Sequence, residues 1–394
     1  MLCDPSPRFA ECKCEIHKTH PHKPLSILIL DCWQREYDKR TYENFQINKK
    51  FFEERMKRIF TEQDWFVLID YLMKRKPKSV QICNIEIPDF KNVTLLENLI
   101  KGFKNAETIQ LKNVSLSTSF LFGLQKNINS LKFKHLDLSQ NELSAEHLLH
   151  LRCILIQSDI LEYLNVENCF INENTFPILA DGLHKSKSIR CINISRPCPM
   201  SRGSIFDSSK LINIVSQLIW QNKLTTLILR HLNLNGHDME IISEYLETPS
   251  SKLQHLDLKS NNLTSHGTEV LFNALMKNKA LQTLNLCGNN LGSKGGIVIA
   301  RHISYSNIQS LDISHNQIDC EAMYELLTAI KKPCGLQIFK IYGNKFNAKT
   351  ASILKRLLRA NVLNQNDIDV TYTWDHSKNE LCVIPYFGIE RMHI

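Results

Sequence analysis

The stretch from Leu253 to Asn278 constrains this chain more than any other. It reads Leu253-x-x-Leu256-x-Leu258-x-x-Asn261-x-Leu263, followed by Ser265 and an apolar run of Val270, Leu271, Ala274 and Leu275. Leucines two apart share one face of a strand, whereas spacings of three and four share one stripe of a helix. The segment is therefore strand, turn, helix. One such segment buries neither apolar face by itself, so copies have to stack on one another.

Copies are present. First consensus positions fall at Pro77, Ala106, Phe133, Leu161, Ile189, Leu224, Leu253, Leu281, Ile308 and Leu336, about ten repeats with a period of roughly 28 residues. The clean repeats carry Asn261, Asn289, Asn316 and Asn344 at the ninth position, and Asn141 stands there in an earlier one. The chain turns out of the strand at this point and leaves backbone groups unpaired, which a buried amide can satisfy by donating and accepting together. Cys169, Val114 and Leu232 occupy the same position elsewhere. Pairing there has to come from other groups.

Hydrophobic residues make up 43% of the 394 residues, enough for a continuous core along such a stack. No apolar run approaches the roughly 18 residues of a membrane span, and Met1-Leu-Cys-Asp-Pro lacks a basic segment followed by an apolar one. The expectation is a non-secreted, cytoplasmic chain without a membrane partner. Thirteen cysteines are an odd number, and Cys83, Cys169, Cys191 and Cys287 sit at repeat positions that want a small apolar side chain. Free thiols in a reducing compartment fit that use. A formal charge of +8, with Lys and Arg interspersed among Asp and Glu, favours a protein partner with some acidic surface and argues against the basic stripe of a nucleic-acid binder.

Four segments follow from this pattern. Residues 1–50 show no period and read as an extended arm, with Pro24 to Trp33 as an apolar run suited to a strand or to lying on the stack. Residues 51–76 read as a helical cap, its second helix opened by Thr61-x-x-Asp64 in the manner of a capping box. Residues 77–363 hold the repeats. Residues 364–394 read as a β-hairpin cap, alternating over Asp367 to Trp374 and apolar again from Glu380 to Phe387, with Trp374, Tyr386, Phe387 and Met392 as docking groups in a second reading.

The repeats resemble leucine-rich repeats of the ribonuclease-inhibitor type, in which a strand alternates with a full α-helix, and the resemblance covers Pro77 to about Asn361. It implies an α/β solenoid, a horseshoe with parallel strands on the concave face and α-helices on the convex face. It also implies that residues between the consensus leucines face the concave surface. One column would then run Gln81, Gln110, Asp137, Asn165, Asn193, Ile228, Asp257, Asn285, Asp312, Lys340. The next would run Cys83, Lys112, Ser139, Glu167, Ser195, Arg230, Lys259, Cys287, Ser314, Tyr342. Solenoids bind through this surface, and Tyr and Arg dominate interface energetics. The candidate protein-binding residues are Arg230, His231, His255, Asp257, Lys259, Asp312, His315, Lys340 and Tyr342. The plainer account of the same residues is a solvated sheet face, which is normally polar.

Signals for chemistry are weak. Cys12-x-Cys14-x-x-His17-x-x-His20-x-His22 has zinc-type donors, yet its spacing matches no structural zinc pattern. Gly288 to Gly296 has the look of a phosphate loop, but Lys294 is followed by Gly295 where Ser or Thr is required. No Ser, Cys or His arrangement suggests a triad. Between Ile194 and Lys210 the rhythm breaks at Pro197 and Pro199, giving a loop with Ser201 beside Arg202 as a candidate phosphorylation site.

The expected function is a non-catalytic scaffold or docking subunit of a hetero-oligomeric assembly, with no cofactor, no metal and no enzymatic activity. The resemblance implies a ciliary or axonemal setting among others, and, as alternatives, a regulator of a small GTPase of the Ran-activating type or a ligase substrate-recognition subunit. Ribonuclease inhibition is disfavoured because an inhibitor of basic enzymes should be acidic.

Overall fold

The computed structural model describes residues 25–27, 29–31, 34, 43–56, 59–87, 93–172, 174–196, 212, 215, 224–330 and 335–386. The Cys12–His22 stretch, the loop bearing Ser201 and Arg202, and the docking candidates Phe387 and Met392 lie outside them. Two compact units are present, Met1–Ile192 with Pro197–Pro199 and Asn193–Arg196 with Met200–Ile394.

In the first unit the described elements are β1 (Asn44–Asn48), α1 (Lys49–Met56), α2 (Glu62–Arg75), β2 (Ser79–Cys83), α3 (Val93–Gly102), β3 (Thr108–Lys112), α4 (Thr118–Asn127), β4 (His135–Asp137), α5 (Ala145–Gln157), β5 (Tyr163–Asn165) and α6 (Phe176–Lys185), with β6 (Cys191–Asn193) at the division. Strands β1 to β5 pair in sequence order and every pair is parallel. The second unit continues with β7 (Thr226–Ile228), α7 (Gly236–Leu246), β8 (His255–Asp257), α8 (Thr264–Lys277), β9 (Thr283–Asn285), α9 (Gly292–His302), β10 (Ser310–Asp312), α10 (Cys320–Ala329), β11 (Ile338–Lys340) and α11 (Ala348–Arg359). Strands β7 to β11 are likewise parallel and in sequence order. Each unit is thus a solenoid of strand–helix repeats.

The consensus leucines explain the stacking. Leu256 and Leu258, Leu284 and Leu286, and Leu311 and Ile313 are buried behind their strands, and Leu271, Phe272 and Leu275 are buried on the inner stripe of α8. Each such side chain contributes about 1.5–3 kcal/mol on leaving water, so the stack is held by burial rather than by the propensity of three-residue strands. The ladder asparagines Asn141, Asn261, Asn316 and Asn344 donate and accept together as the sequence reading expects, whereas Asn289 donates to the Leu258 and Leu286 carbonyls and its Oδ1 has no partner among the described residues. Asn261 Nδ2 donates to the carbonyls of Leu229 and Leu258 at 2.8 and 2.7 Å, and its Oδ1 accepts from the N–H groups of Leu232 and Leu234 at 2.9 and 3.2 Å. Cys169 stands in the same place with its thiol 3.1 Å from the Leu138 carbonyl, and burial pushes that thiol up to about 12. The seven described cysteines are all free.

The expected break at residue 50 is corrected by the structure. Asn44–Asn48 is a strand paired with β2, so the arm reading fails there, while Leu25, Ile29 and Leu30 are buried as expected of an apolar run lying on the stack. The reason is physical: β2 would otherwise be an edge with open backbone groups. Strand β1 covers that edge, and the Gln34 side chain then closes β1. Its Nε2 donates to the Gln46 carbonyl and its Oε1 accepts the Gln46 N–H, both at 2.9 Å. Opening α2, the Asp64 carboxylate accepts the Thr61 N–H at 2.8 Å.

At the other end β12 (Val370–Asp375) and β13 (Glu380–Pro385) form an antiparallel hairpin beside α11, with Lys355 Nζ 5.7 Å from the centre of the Tyr372 ring. Trp374 is 47% exposed, so its ring faces outward and does not seal the last repeat. Ile368, which bridges Phe339, and Val370 are buried at this end, and Asp369 adds a polar contact, its Oδ1 accepting the N–H groups of Ile341 and Tyr342 at 2.8 and 3.2 Å. Burial is the main influence on this carboxyl and raises it above its usual range, against the pull of those two donors. The native state therefore holds the Asp369 proton more tightly than the unfolded chain does. Its contribution to stability is greatest below the unfolded value of 3.8 and is lost as pH rises through the raised native value. Asp369→Asn keeps the acceptor without the charge and is expected to raise the urea midpoint at neutral pH. Asp369→Ala strands two N–H groups and is expected to cost about 1–3 kcal/mol in the same measurement.

Candidate protein-binding face

Strand ends in this fold leave one amide in each repeat that points back along the sheet face. Short acids and amides two residues earlier meet it. Asp137, Asn165, Asn193, Asp257, Asn285 and Asp312 each accept, through Oδ1, the N–H of the residue two further on, at 2.8 to 3.0 Å. The column of small polar residues thus has a structural role before any other. Where Ile228 and Lys340 break the column, substitutes arrive: Ser195 Oγ accepts the Arg230 N–H at 3.0 Å, and Asp369 accepts that of Tyr342.

In the second unit the same column lines a shallow depression of about 210 Å³ on the strand face, bounded by His255, Asp257, Thr283, Asn285, Ser310, Asp312 and Lys340 among others. The residues expected at a binding site do not all fall together. His255, Asp257, Asp312 and Lys340 share this depression. Arg230 lies beside it, with its guanidinium on Asp257 (Nη2–Oδ2 2.7 Å), and Asn285 Nδ2 reaches the same oxygen at 3.1 Å. His231 and His315 stand apart from the strand face, at the turn residue before the ladder position, where both have left-handed backbone with φ of 55°. There Arg196 Nη2 and His231 Nε2 are 2.9 Å apart, while His315 meets Tyr342 edge-on at 5.3 Å. Gly343 makes room for that contact, because a Cβ on it would fall 2.3 Å from His315 Nδ1. Lys259 is half-buried and gives its backbone N–H to Asp257.

Three lining residues escape sequence reading. Thr226, Thr283 and Ser310 occupy the position before each strand's central leucine, one pleat from the column followed above. The repeat register contains that signal, since residues two apart face the same side. Asp369 is also missed, for it lies beyond the last repeat.

Stacked parallel strands, α-helical returns and a buried asparagine ladder make a solenoid fold of the leucine-rich repeat type. Sequence comparison agrees with this fold over part of the chain. Residues 250–272, 277–300 and 306–327 match the family model described as leucine rich repeat. The chain is 30% identical over 235 residues to the mouse NACHT, LRR and PYD domains-containing protein 14, which is 57% of this chain and 22% of that protein. It is 24% identical over 281 residues to Protein CARMIL of Dictyostelium discoideum, 69% of this chain and 26% of that protein. The chain thus spans about a fifth to a quarter of the length of these relatives. A solved structure, the crystal structure of a TLR13-ssRNA13 complex, is similar with a TM-score of 0.40 at 15% identity, covering 70% of this chain and 41% of that one. Among the described residues no helix is long and apolar enough to cross a membrane.

Proposed function

We propose that this chain is a non-catalytic docking subunit that seats a protein partner on the strand face of β7 to β11. The observation that carries the proposal is the depression between His255 and Lys340, in which charged and amide groups stand on short strands fixed by the ladder behind them. Preorganised polar groups lose little freedom on binding, which favours a specific partner over a transient one. Asp257 is matched by Arg230, which leaves Lys340 and Lys259 against the single carboxylate of Asp312, a balance of one positive charge that suits an acidic segment of the partner. The assembly that the sequence resemblance implies is ciliary or axonemal, and that setting is part of the proposal.

The test is affinity purification with the full chain from ciliated and non-ciliated cells, run beside Lys340→Glu and Tyr342→Ala variants. A partner recovered by the parent chain should bind the Lys340→Glu variant at least about tenfold more weakly. Identical recovery by parent and variants would remove this face from consideration. Recovery of the same partners from cells with and without cilia would remove the ciliary setting.

A further inference from the structure

Outside the strand face, three side chains from two neighbouring repeats converge on one point. His237 and Glu240 lie one turn apart on α7, and His266 lies on the first turn of α8. Glu240 Oε1 is 3.2 Å from His237 Nδ1 and 3.1 Å from His266 Nε2, and the two imidazole rings are 5.2 Å apart. One donor atom from each residue falls within 4.8 Å of the other two. A zinc ion with ligands at about 2.0–2.1 Å separates tetrahedral donors by about 3.3 Å, a spacing that the two contacts to Glu240 already approach.

The backbone holds these donors in place. Gly236 and Gly267 meet where the two helices begin: a Cβ on Gly236 would lie 3.0 Å from the Gly267 nitrogen and 2.7 Å from His266 Cδ2, and one on Gly267 would lie 3.0 Å from the Gly236 Cα. Any larger residue at either position would spread the histidines. The start of α7 is itself fixed, because Asn235 Oδ1 accepts the N–H of His237 at 2.8 Å and the Asp238 carboxylate accepts the N–H of Asn235 at 2.8 Å. Side-chain exposures of 83%, 51% and 50% for His237, Glu240 and His266 leave the site open to solvent. Glu240 is held below the usual carboxylate range by His266 first and His237 second, so it presents an anion to whatever lies between the rings.

We propose that His237, Glu240 and His266 form a binding site for a zinc-class divalent ion, with two imidazole nitrogens and one carboxylate oxygen as ligands and the remaining position open to water or to a donor from a partner. Borderline ions prefer this donor set over magnesium or calcium, which seek oxygen. On coordination the ring nitrogens now facing Glu240 must be free of protons, so each ring carries its hydrogen on the other nitrogen or releases it to solvent. An ion here would tie α7 to α8 from outside, opposite in role to the buried ladder.

The test counts bound zinc on the full chain by competition with a chromophoric indicator, for the parent and for a His237→Ala/His266→Ala variant. Other donors, including the N-terminal cysteines and histidines, are common to both, so the difference isolates this site. The variant should bind one equivalent fewer, and cobalt titration of the parent should show a tetrahedral visible band that the variant lacks. Both substitutions are at exposed positions, and matching melting curves in chelator would establish that the fold is kept. In Gly267→Val, where the ligands are intact but spread, the same equivalent should be lost. Equal zinc counts in parent and double variant would overturn the proposal and leave a histidine–glutamate ion pair in its place.

Discussion

Alanine at position 261 is expected to destabilise the second unit by about 3–5 kcal/mol, seen as a lowered urea midpoint. The Asn261 amide is 6% exposed and serves four backbone groups at once: the carbonyls of Leu229 and Leu258 and the N–H groups of Leu232 and Leu234. Removing it strands the Leu229 carbonyl and the N–H groups of Leu232 and Leu234 beside a methyl, while the Leu258 carbonyl keeps the Asn289 amide at 2.9 Å. Two further substitutions separate donation from acceptance. Asn261→Asp can still accept but sets a carboxylate against two carbonyl oxygens, so it should match or exceed the alanine loss. Asn261→Cys should fall between parent and alanine, since Cys169 shows a thiol serving one carbonyl at the equivalent place. An alanine variant with the parent's midpoint would show that the ladder is dispensable.

The ladder also marks what can be read from sequence in a chain of this kind. Its period, its strand faces and the class of fold follow from leucine spacing, because a two-residue alternation and a helical stripe admit one arrangement each. Strand β1 is not legible in that way. Phe45 and Ile47 are both buried, yet they sit in a five-residue strand with no consensus around them, and the Gln34 that closes its edge lies twelve residues earlier. Caps differ from repeats for this reason: they satisfy one edge once, so no periodicity advertises them. The binding face shows the same division. The repeat register aligns Asp257, Asn285, Asp312 and Lys340 across neighbouring strands, and the structure has them aligned. It says nothing of the ion pair that quiets Arg230 or of the turn geometry that carries His231 and His315 off the strands, because both depend on side-chain reach and on backbone angles. The three donors on α7 and α8 are hidden for a related cause. His237 and Glu240 have a helical spacing, but their union with His266 rests on how closely Gly236 and Gly267 let two helices approach.

The cap at the start of the first unit should be the other place where one substitution has a large effect. Trp65 is 2% exposed, with its ring edge-on to Phe60 at 5.7 Å and Phe60 in turn 5.2 Å from Phe52, so three aromatic residues form the plug over the earliest repeats. Its Nε1 donates to the Glu86 carbonyl at 3.2 Å and so ties α2 to the turn after β2. Trp65→Ala is expected to cost about 3–5 kcal/mol through the void it leaves, the higher end applying if Phe52 and Phe60 cannot collapse into it. Trp65→Phe fills most of the space and removes only the indole donor, for an expected cost of about 1 kcal/mol. In a repeat stack stability is close to a sum over neighbours, so the damage should stay near its origin. Hydrogen exchange should then quicken at Val80, Ile82, Ile109 and Leu111 in the alanine variant while Leu256 and Leu284 keep their protection. Uniform quickening at all six would mean that the two units unfold as one. Unchanged exchange would mean that the aromatic plug is not what seals this end.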